Sequence, residues 1–446
     1  MRIACLSLVE IFPDYVLGGS QNILRKIIIG LRNSGIRVRL FSPINDQPKS
    51  FINDVEIENI LNLRGSFPSP FEIPLYELQN LSNTIDEIKT WADRIYLHGD
   101  GWFMREEFFG SNIISGIHDL VYQESLTSVI FSKSNKIIVP SNYLKQTIKA
   151  SLSKERFRSK NISVIKNSID NFSKEKHTEK HLDKDNLVLL FPHRPDLRKG
   201  INNALKISLG FAQTKRWKKV ILNVPKFNKL LNKDEKNSSN LHLDTLEKFN
   251  QNGGEINFHD WIPINEMSQY YKSGDLTLCP GNFIESFGLV PLESLANGTP
   301  VICSAVGAFR EFSNFEGIRI IPYGDIEGFV NKGIELLEEI NEIKYGSERV
   351  INSYNLDNMI SEYIETFTNP NSKLKEEIND SPMKVETVDG KYFMSPWCFI
   401  SNNKIYHDYK GWMNDFENKF KLQNKKIILD HKYIEKAISE KILISY

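Results

Sequence analysis

The sequence predicts an α/β protein with two Rossmann-like domains that face a central cleft. Near the N-terminus an apolar strand, RIACLSLVEIF, is followed by a glycine turn, an amphipathic helix and a second apolar strand, IRVRLFSP. This βαβ order is typical of parallel strands buried beneath helices. A second series of alternating strands and helices begins at LVLLFPHR, beyond a polar segment. A cleft between two such domains is a common place for a ligand.

Composition divides the chain into five segments. Residues 173–186, SKEKHTEKHLDKDN, are polar throughout and are interpreted as a linker. Residues 1–172 then form the N-terminal domain, and residues 187–350 form the C-terminal domain. A late helix in residues 351–370 is expected to pack back on the N-terminal domain. Residues 371–446 are aromatic and rich in turns, and their pattern indicates no role.

The charge balance limits the classes of partner. The 446 residues include 56 Lys and Arg and 56 Asp and Glu, so the formal net charge is zero. Binding to nucleic acid usually needs a basic surface, and we therefore expect no nucleic-acid partner. The sequence does not specify the oligomeric state.

Hydropathy and cysteine usage predict a soluble cytoplasmic protein. No apolar run approaches the ~20 residues of a membrane-spanning helix, although peripheral membrane contact stays open. The N-terminus carries Glu10 and lacks a small-residue cleavage site, so it is interpreted as a strand rather than a signal peptide. Four scattered cysteines without a C-x-x-C pattern are expected to be buried free thiols.

The segment PGNFIESFGLVPLESLANG is the strongest candidate for a binding site. It is interpreted as a loop and a helix that begins near Phe287 and Gly288, where free N–H groups favour an anion. Glu285 precedes this start and Glu293 lies about two turns along the helix. Carboxylates accept hydrogen bonds from hydroxyl groups. A nucleotide-sugar has hydroxyl groups on both sides of a diphosphate, so this segment predicts a nucleotide-sugar site. The simpler alternative is that Glu293 lies on a solvated helix face and binds nothing.

A basic turn is the second candidate. Arg194 and Lys199 directly follow the strand LVLLFP, at its carboxyl end. A guanidinium and an ammonium group suit phosphoryl oxygens. Because Arg198 lies between them, a solvated basic turn is the alternative, and the residues alone leave both interpretations open. A dinucleotide site is disfavoured, because VLGGSQN offers only a Gly-Gly pair where G-x-G-x-x-G would be needed.

Several of these motifs resemble one enzyme family. ESFGLVPLESLANGTPVICSAVGAFREF resembles the donor-site signature of retaining glycosyltransferases of family 4, which have the GT-B fold. FPHRPDLRKG resembles the family's G-R-L-x-x-x-K-G, and VIKNSID resembles its V-I-P-N-G-V-D. SGIHDL and LGGSQNIL resemble two N-terminal motifs, so the resemblance covers residues 1–370. It implies a GT-B fold and transfer of a sugar from a nucleotide-sugar donor with retention of configuration. It also implies that residues 1–172 lie on the acceptor side and residues 187–350 on the donor side.

The resemblance also implies roles for particular residues. Arg194 and Lys199 would bind the donor diphosphate, and His118, at the end of the strand NIISGI, would lie near the transferred sugar. His98, in IYLHGDGW, competes for that role, and we favour His118 for its closer motif match. The predicted catalytic residues are His118, Glu285, Arg194 and Lys199. The predicted donor contacts are Gly19, Arg194, Lys199, Glu285, Phe287, Gly288, Leu289 and Glu293.

We predict no metal or other cofactor. The obvious D-x-D, Asp183-Lys184-Asp185, lies in the polar linker, where a solvated charge run is expected. Two alternatives to a transferase stay open: a nucleotide-sugar epimerase or hydrolase on the same fold, and a non-catalytic partner protein that binds sugar nucleotides. The sequence does not choose among a glycan, a lipid, a small molecule and a protein as acceptor.

Four positions depart from the family pattern. Ser168, Ser286 and Ala308 stand where the family has glycine, and His193 replaces the glycine before the arginine. The first three changes exchange one small residue for another and are tolerated unless the backbone needs a positive φ. None removes a charged donor contact.

Overall fold

The computed structural model describes most of the chain. The described residues are 1–7, 9, 11, 18–44, 49–61, 75–99, 112–119, 129–130, 132–152, 161–170, 185–193, 197–226, 242–371, 385–386, 392–423, 426–429 and 431–445. Of the predicted linker, only residues 185 and 186 fall within these ranges.

The N-terminal domain is an eight-stranded sheet with helices. Its strands are β1 (Arg2–Ser7), β2 (Arg37–Pro43), β3 (Lys49–Ile52), β4 (Val55–Leu61), β5 (Arg94–His98), β6 (Ile113–Gly116), β7 (Lys136–Val139) and β8 (Ile162–Val164). They lie in the order β3-β4-β2-β1-β5-β6-β7-β8, and every neighbouring pair is parallel except β3 with β4. Its described helices are α1 (Gly19–Asn33), α2 (Leu78–Trp91) and α3 (Asn142–Ser151).

Helix α1 shows how the sequence pattern produces the N-terminal core. Its apolar residues recur three and four positions apart, which places them on one helix face. Five of them are fully buried: Ile23, Leu24, Ile27, Ile28 and Leu31. They share one cluster with residues of β1 and β2. Gly35 follows the helix with a φ of +81°, a conformation that glycine adopts without strain.

The C-terminal domain is a six-stranded sheet in which all neighbouring strands are parallel. Its strands are β9 (Asn186–Leu190), β10 (Lys219–Pro225), β11 (Gly254–His259), β12 (Leu276–Cys279), β13 (Val301–Ser304) and β14 (Ile318–Ile321). Its described helices are α4 (Ile201–Gln213), α5 (Leu243–Gln251), α6 (Met267–Ser273), α7 (Leu289–Ala296), α8 (Ile326–Glu338) and α9 (Ile340–Ser353). The order β11-β10-β9-β12-β13-β14 reverses direction between β9 and β12, the point at which open α/β sheets bind ligands.

A further helix, α10 (Leu356–Thr368), returns to the N-terminal domain. Its residues Tyr363 and Phe367 are buried in the same core cluster as helix α1. Helix α1 approaches α10 closely at Gly30, where a Cβ atom would lie 2.4 Å from the side chain of Ile360. Arg94 also donates a hydrogen bond of 3.1 Å to the Phe367 carbonyl. The late helix therefore fastens the end of the C-terminal domain to the first domain.

The C-terminal extension, residues 392–445, forms a small unit with its own core. Its strands are β16 (Tyr392–Met394), β17 (Cys398–Ser401), β18 (Lys404–His407), β19 (Gly411–Trp412), β20 (Phe420–Gln423), β21 (Lys426–Leu429) and β22 (Leu443–Ser445), with β15 (Val385–Glu386) paired to β21. Helix α11 spans Ile434–Ser439. Trp397, Phe416 and Ile442 are among the residues of its buried cluster.

Two expectations concern the state of the cysteines and the apolar character of the helices. All four cysteines, Cys5, Cys279, Cys303 and Cys398, are buried free thiols, as predicted. Within the described ranges, none of the helices combines the length and the apolar character that crossing a bilayer requires.

Candidate active site

Two loops meet where the order of the C-terminal strands reverses. Lys199 follows β9, Glu285 follows β12, and the Lys199 ammonium lies 2.5 Å from the Glu285 carboxylate. Both side chains are mostly buried, with relative exposures of 18% and 17%. The ammonium group also lies 3.9 Å from the centre of the Phe283 ring. The structure thus pairs Lys199, predicted to bind the phosphate, with Glu285, predicted to bind the sugar.

Close backbone packing produces this approach. A Cβ atom on Gly200 would lie 2.8 Å from the Gly281 backbone, and one on Gly281 would lie 2.4 Å from the Arg198 carbonyl oxygen. That oxygen accepts hydrogen bonds of 3.0 Å from the amides of Asn282 and Phe283. The two glycines leave room for the loops to touch, and the touching loops set the position of Lys199.

Three helices begin at the cleft without a side-chain cap. Helices α1, α4 and α7 follow Gly18, Gly200 and Gly288, and none of the three has an acidic residue in its first turn. By contrast, α3, α8 and α10 are capped by the side chains of Ser141, Asp325 and Asn355. Uncapped amides at a helix start carry partial positive charge and suit an anion.

The starts of α1 and α7 face each other. A Cβ atom on Gly19 would lie 3.3 Å from the side chain of Leu289. Gly288 has a φ of +88°, and a Cβ atom there would lie 2.3 Å from the ring of Phe309. Phe287 is buried among aromatic residues, with 4% exposure, so its backbone amide is the group it can offer to a ligand. Gly19, Phe287, Gly288 and Leu289 therefore lie in one neighbourhood.

Glu293 lies on α7 and is half-buried. Burial raises the pKa of Glu293 to about 7, and the nearby carboxylate of Asp170 adds to the effect. Lys26 opposes it, as does the Tyr271 hydroxyl, which donates a hydrogen bond of 3.0 Å to Glu293 Oε2. Lys26 itself pairs with Asp170 at 3.0 Å. The simpler alternative of a solvated helix face is therefore wrong for Glu293.

His98 and His118 stack against each other at the carboxyl ends of β5 and β6. Their ring centres are 4.3 Å apart, and both residues are buried. His98 Nε2 lies 2.9 Å from the Ser20 hydroxyl, and His98 Nδ1 lies 3.1 Å from the Tyr96 hydroxyl. Burial lowers the pKa of His118 to about 4 and lowers the pKa of His98 as well. Both rings are therefore neutral at pH 7, and the two competing candidates form one pair.

A seam of hydrogen bonds joins the two domains beside this pair. The Ser286 hydroxyl donates to the His118 carbonyl, and the Ser141 hydroxyl donates to the Ser286 carbonyl at 2.5 Å. The Glu311 carboxylate accepts a hydrogen bond from the Tyr143 amide. Sequence comparison with the family treats Ser286 only as a tolerated change, whereas its hydroxyl forms a contact that glycine could not make.

The C-terminal extension meets both domains at one buried ion pair. Arg310 lies in a 3-10 segment, Gly307–Phe312, and its guanidinium holds the Asp408 carboxylate with contacts of 2.6 and 3.0 Å. The Tyr143 hydroxyl donates to the same carboxylate at 2.9 Å. Tyr143 belongs to the N-terminal domain, Arg310 to the C-terminal domain and Asp408 to the extension. No local pattern in the sequence joins these three residues.

The structure also bears on the D-x-D segment and on the positions that depart from the family pattern. Arg194 and Asp183 lie outside the described residues, and Asp185 pairs with Lys218 on the exposed surface at 3.0 Å. Neither Ser168, Ser286 nor Ala308 is among the residues with positive φ, so these departures from glycine cause no backbone strain.

His193 is the fourth departure, at the position where the family pattern has a glycine. Its Nε2 lies 3.4 Å from the Cys279 sulfur, and both residues line a small pocket beside Lys199 and Glu285. Burial lowers the pKa of His193 to about 3, with a further contribution from the Lys199 charge. The ring is therefore neutral, and it adds no positive charge to the proposed phosphate site.

Comparison with known proteins identifies the C-terminal domain. Residues 172–350 match the family model described as glycosyl transferases group 1. These residues are therefore similar to a glycosyltransferase group 1 domain. The predicted enzyme class, glycosyltransferase, is confirmed for these residues by the family model.

Solved structures share the fold of most of the chain. Sucrose-phosphate synthase from Thermosynechococcus elongatus has a TM-score of 0.62 and 18% identity, over 83% of this chain and 98% of that chain. Anabaena Alr3699/HepE in complex with UDP-glucose has a TM-score of 0.60 and 16% identity, over 82% and 99% of the two chains. These likenesses confirm the predicted fold, in which two Rossmann-like domains form the GT-B architecture.

Curated relatives match shorter stretches. An uncharacterized 41.2 kDa protein in the cps region of Klebsiella pneumoniae is 23% identical over 255 residues, which are 53% of this chain and 63% of that protein. The D-inositol 3-phosphate glycosyltransferase of Thermobispora bispora is 50% identical over 48 residues, 11% of each protein. The chain thus spans less than two thirds of the length of these relatives.

The shielded carboxyl of Glu293 predicts a pH-dependent stability. An acid with a raised pKa holds its proton more tightly in the folded state than in the unfolded state. The protonated Glu293 therefore stabilises the fold fully below its unfolded pKa of about 4.3. This stabilisation is lost as the pH rises through the folded pKa of about 7. Glu293→Gln should therefore gain roughly 1–3 kcal/mol over the wild type between pH 4.5 and pH 8. Urea unfolding of both proteins at the two pH values measures this. Glu338→Gln, at an exposed position of α8, is the control, and a difference that is independent of pH would contradict the assignment.

Proposed function

We propose that this protein is a retaining glycosyltransferase that moves a sugar from a nucleotide-sugar to an acceptor hydroxyl without a metal ion. The observation that carries the proposal is the Lys199–Glu285 ion pair of 2.5 Å at the strand-order reversal, beside three uncapped helix starts. A cation next to helix starts that lack a side-chain cap suits a diphosphate. A carboxylate at the same place suits the hydroxyls of a sugar.

Each charged group has a part in the proposed reaction. As the bond between the sugar and the diphosphate breaks, negative charge grows on the phosphate, and Lys199 and the amides of the helix starts stabilise it. Arg194 is assigned the same role through the resemblance. Because these groups supply the positive charge, the leaving diphosphate does not require a divalent ion. Glu293, oriented by Tyr271, would accept the ribose hydroxyls.

Retention is proposed to proceed on one face of the sugar. Glu285 is held by Lys199, and an ammonium group at this distance stabilises the carboxylate and weakens it as a nucleophile. Direct attack of the acceptor, with the departing phosphate taking the acceptor's proton, therefore fits the site better than a covalent intermediate on Glu285. His118, neutral at pH 7, would position a hydroxyl group rather than carry a charge.

The structural neighbours suggest which donor to test first. Anabaena Alr3699/HepE has been solved in complex with UDP and with UDP-glucose, and one neighbour from Burkholderia xenovorans is described as UDP-forming. We propose a uridine diphosphate sugar as the donor of this protein.

A panel of UDP-, GDP-, ADP- and dTDP-sugars tests the proposed function. A donor present at 100 times its Kd should raise the free energy of unfolding by ~2.7 kcal/mol, which a thermal-shift experiment detects. Turnover to the free nucleoside diphosphate should continue in excess EDTA, and the product should keep the donor's anomeric configuration by NMR. Loss of turnover in EDTA that magnesium restores would contradict metal independence. An epimerised nucleotide-sugar would favour the alternative enzyme class.

Lys199→Ala should depress turnover more than it raises the KM for the donor. Its charge meets a phosphate that becomes more negative in the transition state, so kcat should fall by about 10²-fold or more. Steady-state kinetics with the donor identified above measures the changes in kcat and in KM separately. Arg198→Ala is the matched control, because Arg198 precedes Lys199 on the same turn and stacks on Phe283 at 5.1 Å. A change in KM alone would show that Lys199 only holds the donor.

His118→Ala should lower transfer by ~10²-fold if the ring positions reacting groups. Binding of the nucleoside diphosphate, measured by calorimetry, should stay near the wild-type value. His98→Ala should have a smaller effect on transfer, because His98 contacts Ser20 and Tyr96 within its own domain. An inactive His98→Ala beside an unimpaired His118→Ala would reverse the assignment.

A further inference from the structure

We propose that Asp408 of the C-terminal extension is a positioning residue for Glu285, which is predicted to bind the transferred sugar. Asp408 acts through Arg310 and the segment Gly307–Phe312, whose backbone holds the loop that carries Glu285. The proposal rests on the proposed function, because it assigns a residue to the donor site of that reaction. Asp408 lies outside residues 172–350, which match the glycosyltransferase group 1 model. The extension therefore supports the site from outside the matched residues.

The segment Gly307–Phe312 packs against the backbone of the Glu285 loop, residues 280–288, which joins β12 to α7. The Ala308 amide donates a hydrogen bond of 2.8 Å to the Glu285 carbonyl. A Cβ atom on Gly307 would lie only 2.8 Å from the Glu285 nitrogen, so this approach requires a glycine. The position of the segment therefore determines where the Glu285 backbone lies.

The same segment reaches the pocket of the site through Phe309. Its side chain lines the small pocket that Lys199 and Glu285 also line. The Phe309 ring lies against the start of α7, because a Cβ atom on Gly288 would be 2.3 Å from it. A displacement of the segment would therefore move one side of the pocket together with the Glu285 backbone.

Asp408 binds this segment from the side of the extension. Its carboxylate holds the Arg310 guanidinium with contacts of 2.6 and 3.0 Å. The guanidinium also donates to the Ala305 carbonyl at 3.2 Å, just before the segment begins. Because the Asp408 side chain is fully buried, solvent screens this ion pair little. Asp408 therefore restrains the segment through the side chain of Arg310.

The Glu285 loop has a second anchor at its other end. The Arg198 carbonyl accepts hydrogen bonds of 3.0 Å from the amides of residues 282 and 283. This anchor fixes the first part of the loop beside Lys199, whereas Asp408 acts on the part that carries Glu285. Loss of the Asp408 charge should therefore disturb the sugar end of the site more than the phosphate end.

The extension has another attachment that provides a matched comparison. The Trp412 indole donates a hydrogen bond of 3.1 Å to the Tyr323 carbonyl of the C-terminal domain. Tyr323 follows β14 and lies outside the segment Gly307–Phe312. A residue that only docks the extension should behave as Trp412 does, whereas a positioning residue should also affect the Glu285 loop.

Hydrogen exchange of the full chain tests this support without any ligand. Asp408→Asn keeps the shape of the side chain and removes its charge, so amide exchange in residues 280–288 and 305–312 should become ~10-fold faster. Trp412→Phe should leave exchange in these two ranges unchanged. Tyr143→Phe, which removes one hydrogen bond to Asp408 and keeps the ion pair, should show a smaller increase and carries the test if Asp408→Asn does not fold. Unchanged exchange, or an equal increase in Trp412→Phe, would overturn the proposal.

Kinetics separates this proposal from the proposed function. With a UDP-sugar as donor, Asp408→Asn should lower kcat by ~10-fold or more, because a small misplacement at the sugar slows the reaction. Its Kd for UDP, measured by calorimetry, should stay within about threefold of the wild type, whereas a general loss of structure would weaken both. An unchanged kcat would overturn the positioning role and keep the transferase. Faster exchange in the Glu285 loop of a protein that binds no nucleotide-sugar would refute the transferase and keep the link between Asp408 and Glu285.

Discussion

The arrangement of the whole molecule depends on the ion pair between Arg310 and Asp408. The Arg310 side chain is 15% exposed and that of Asp408 is fully buried, and a buried charge that loses its partner destabilises a protein strongly. The segment that carries Arg310 also supports the site, because the Ala308 amide donates to the Glu285 carbonyl at 2.8 Å. One interaction therefore fixes the extension, the domain interface and the loop that bears Glu285.

The candidate donor site is made chiefly by backbone that comes close together. Gly200 and Gly281 allow two loops to touch, and Gly307, with a φ of +59°, brings its segment against the Glu285 backbone, where a Cβ atom would lie 2.6 Å away. Three helices also start after a glycine and have no side-chain cap. Side chains such as Lys199 then add charge to a shape that the glycines have already determined.

Sequence reasoning succeeded where the signal is local or follows from the order of strands. The spacing of apolar residues predicts α1, and the motifs assign Lys199 and Glu285 to one donor site, where the structure shows them as an ion pair. It could not predict contacts that no periodicity encodes. Asp408 and Arg310 are separated by 98 positions, and the hydroxyl of Ser286 resembles a neutral replacement for glycine until the His118 carbonyl is seen beside it. The stacking of His98 on His118 likewise depends on side-chain packing between strands.

The position of Asp408 in the chain has a consequence for biosynthesis. A ribosome completes both Rossmann-like domains before residue 408 emerges, and domains generally fold as units during synthesis. During that interval Arg310 has no Asp408 to bind. The two domains are then joined by other contacts, which include those of α10 and the hydrogen bonds of Ser286. Arg310 and Tyr143 gain their partner when the segment with Asp408 emerges, so a chain that terminates before residue 408 would present two folded domains without this contact.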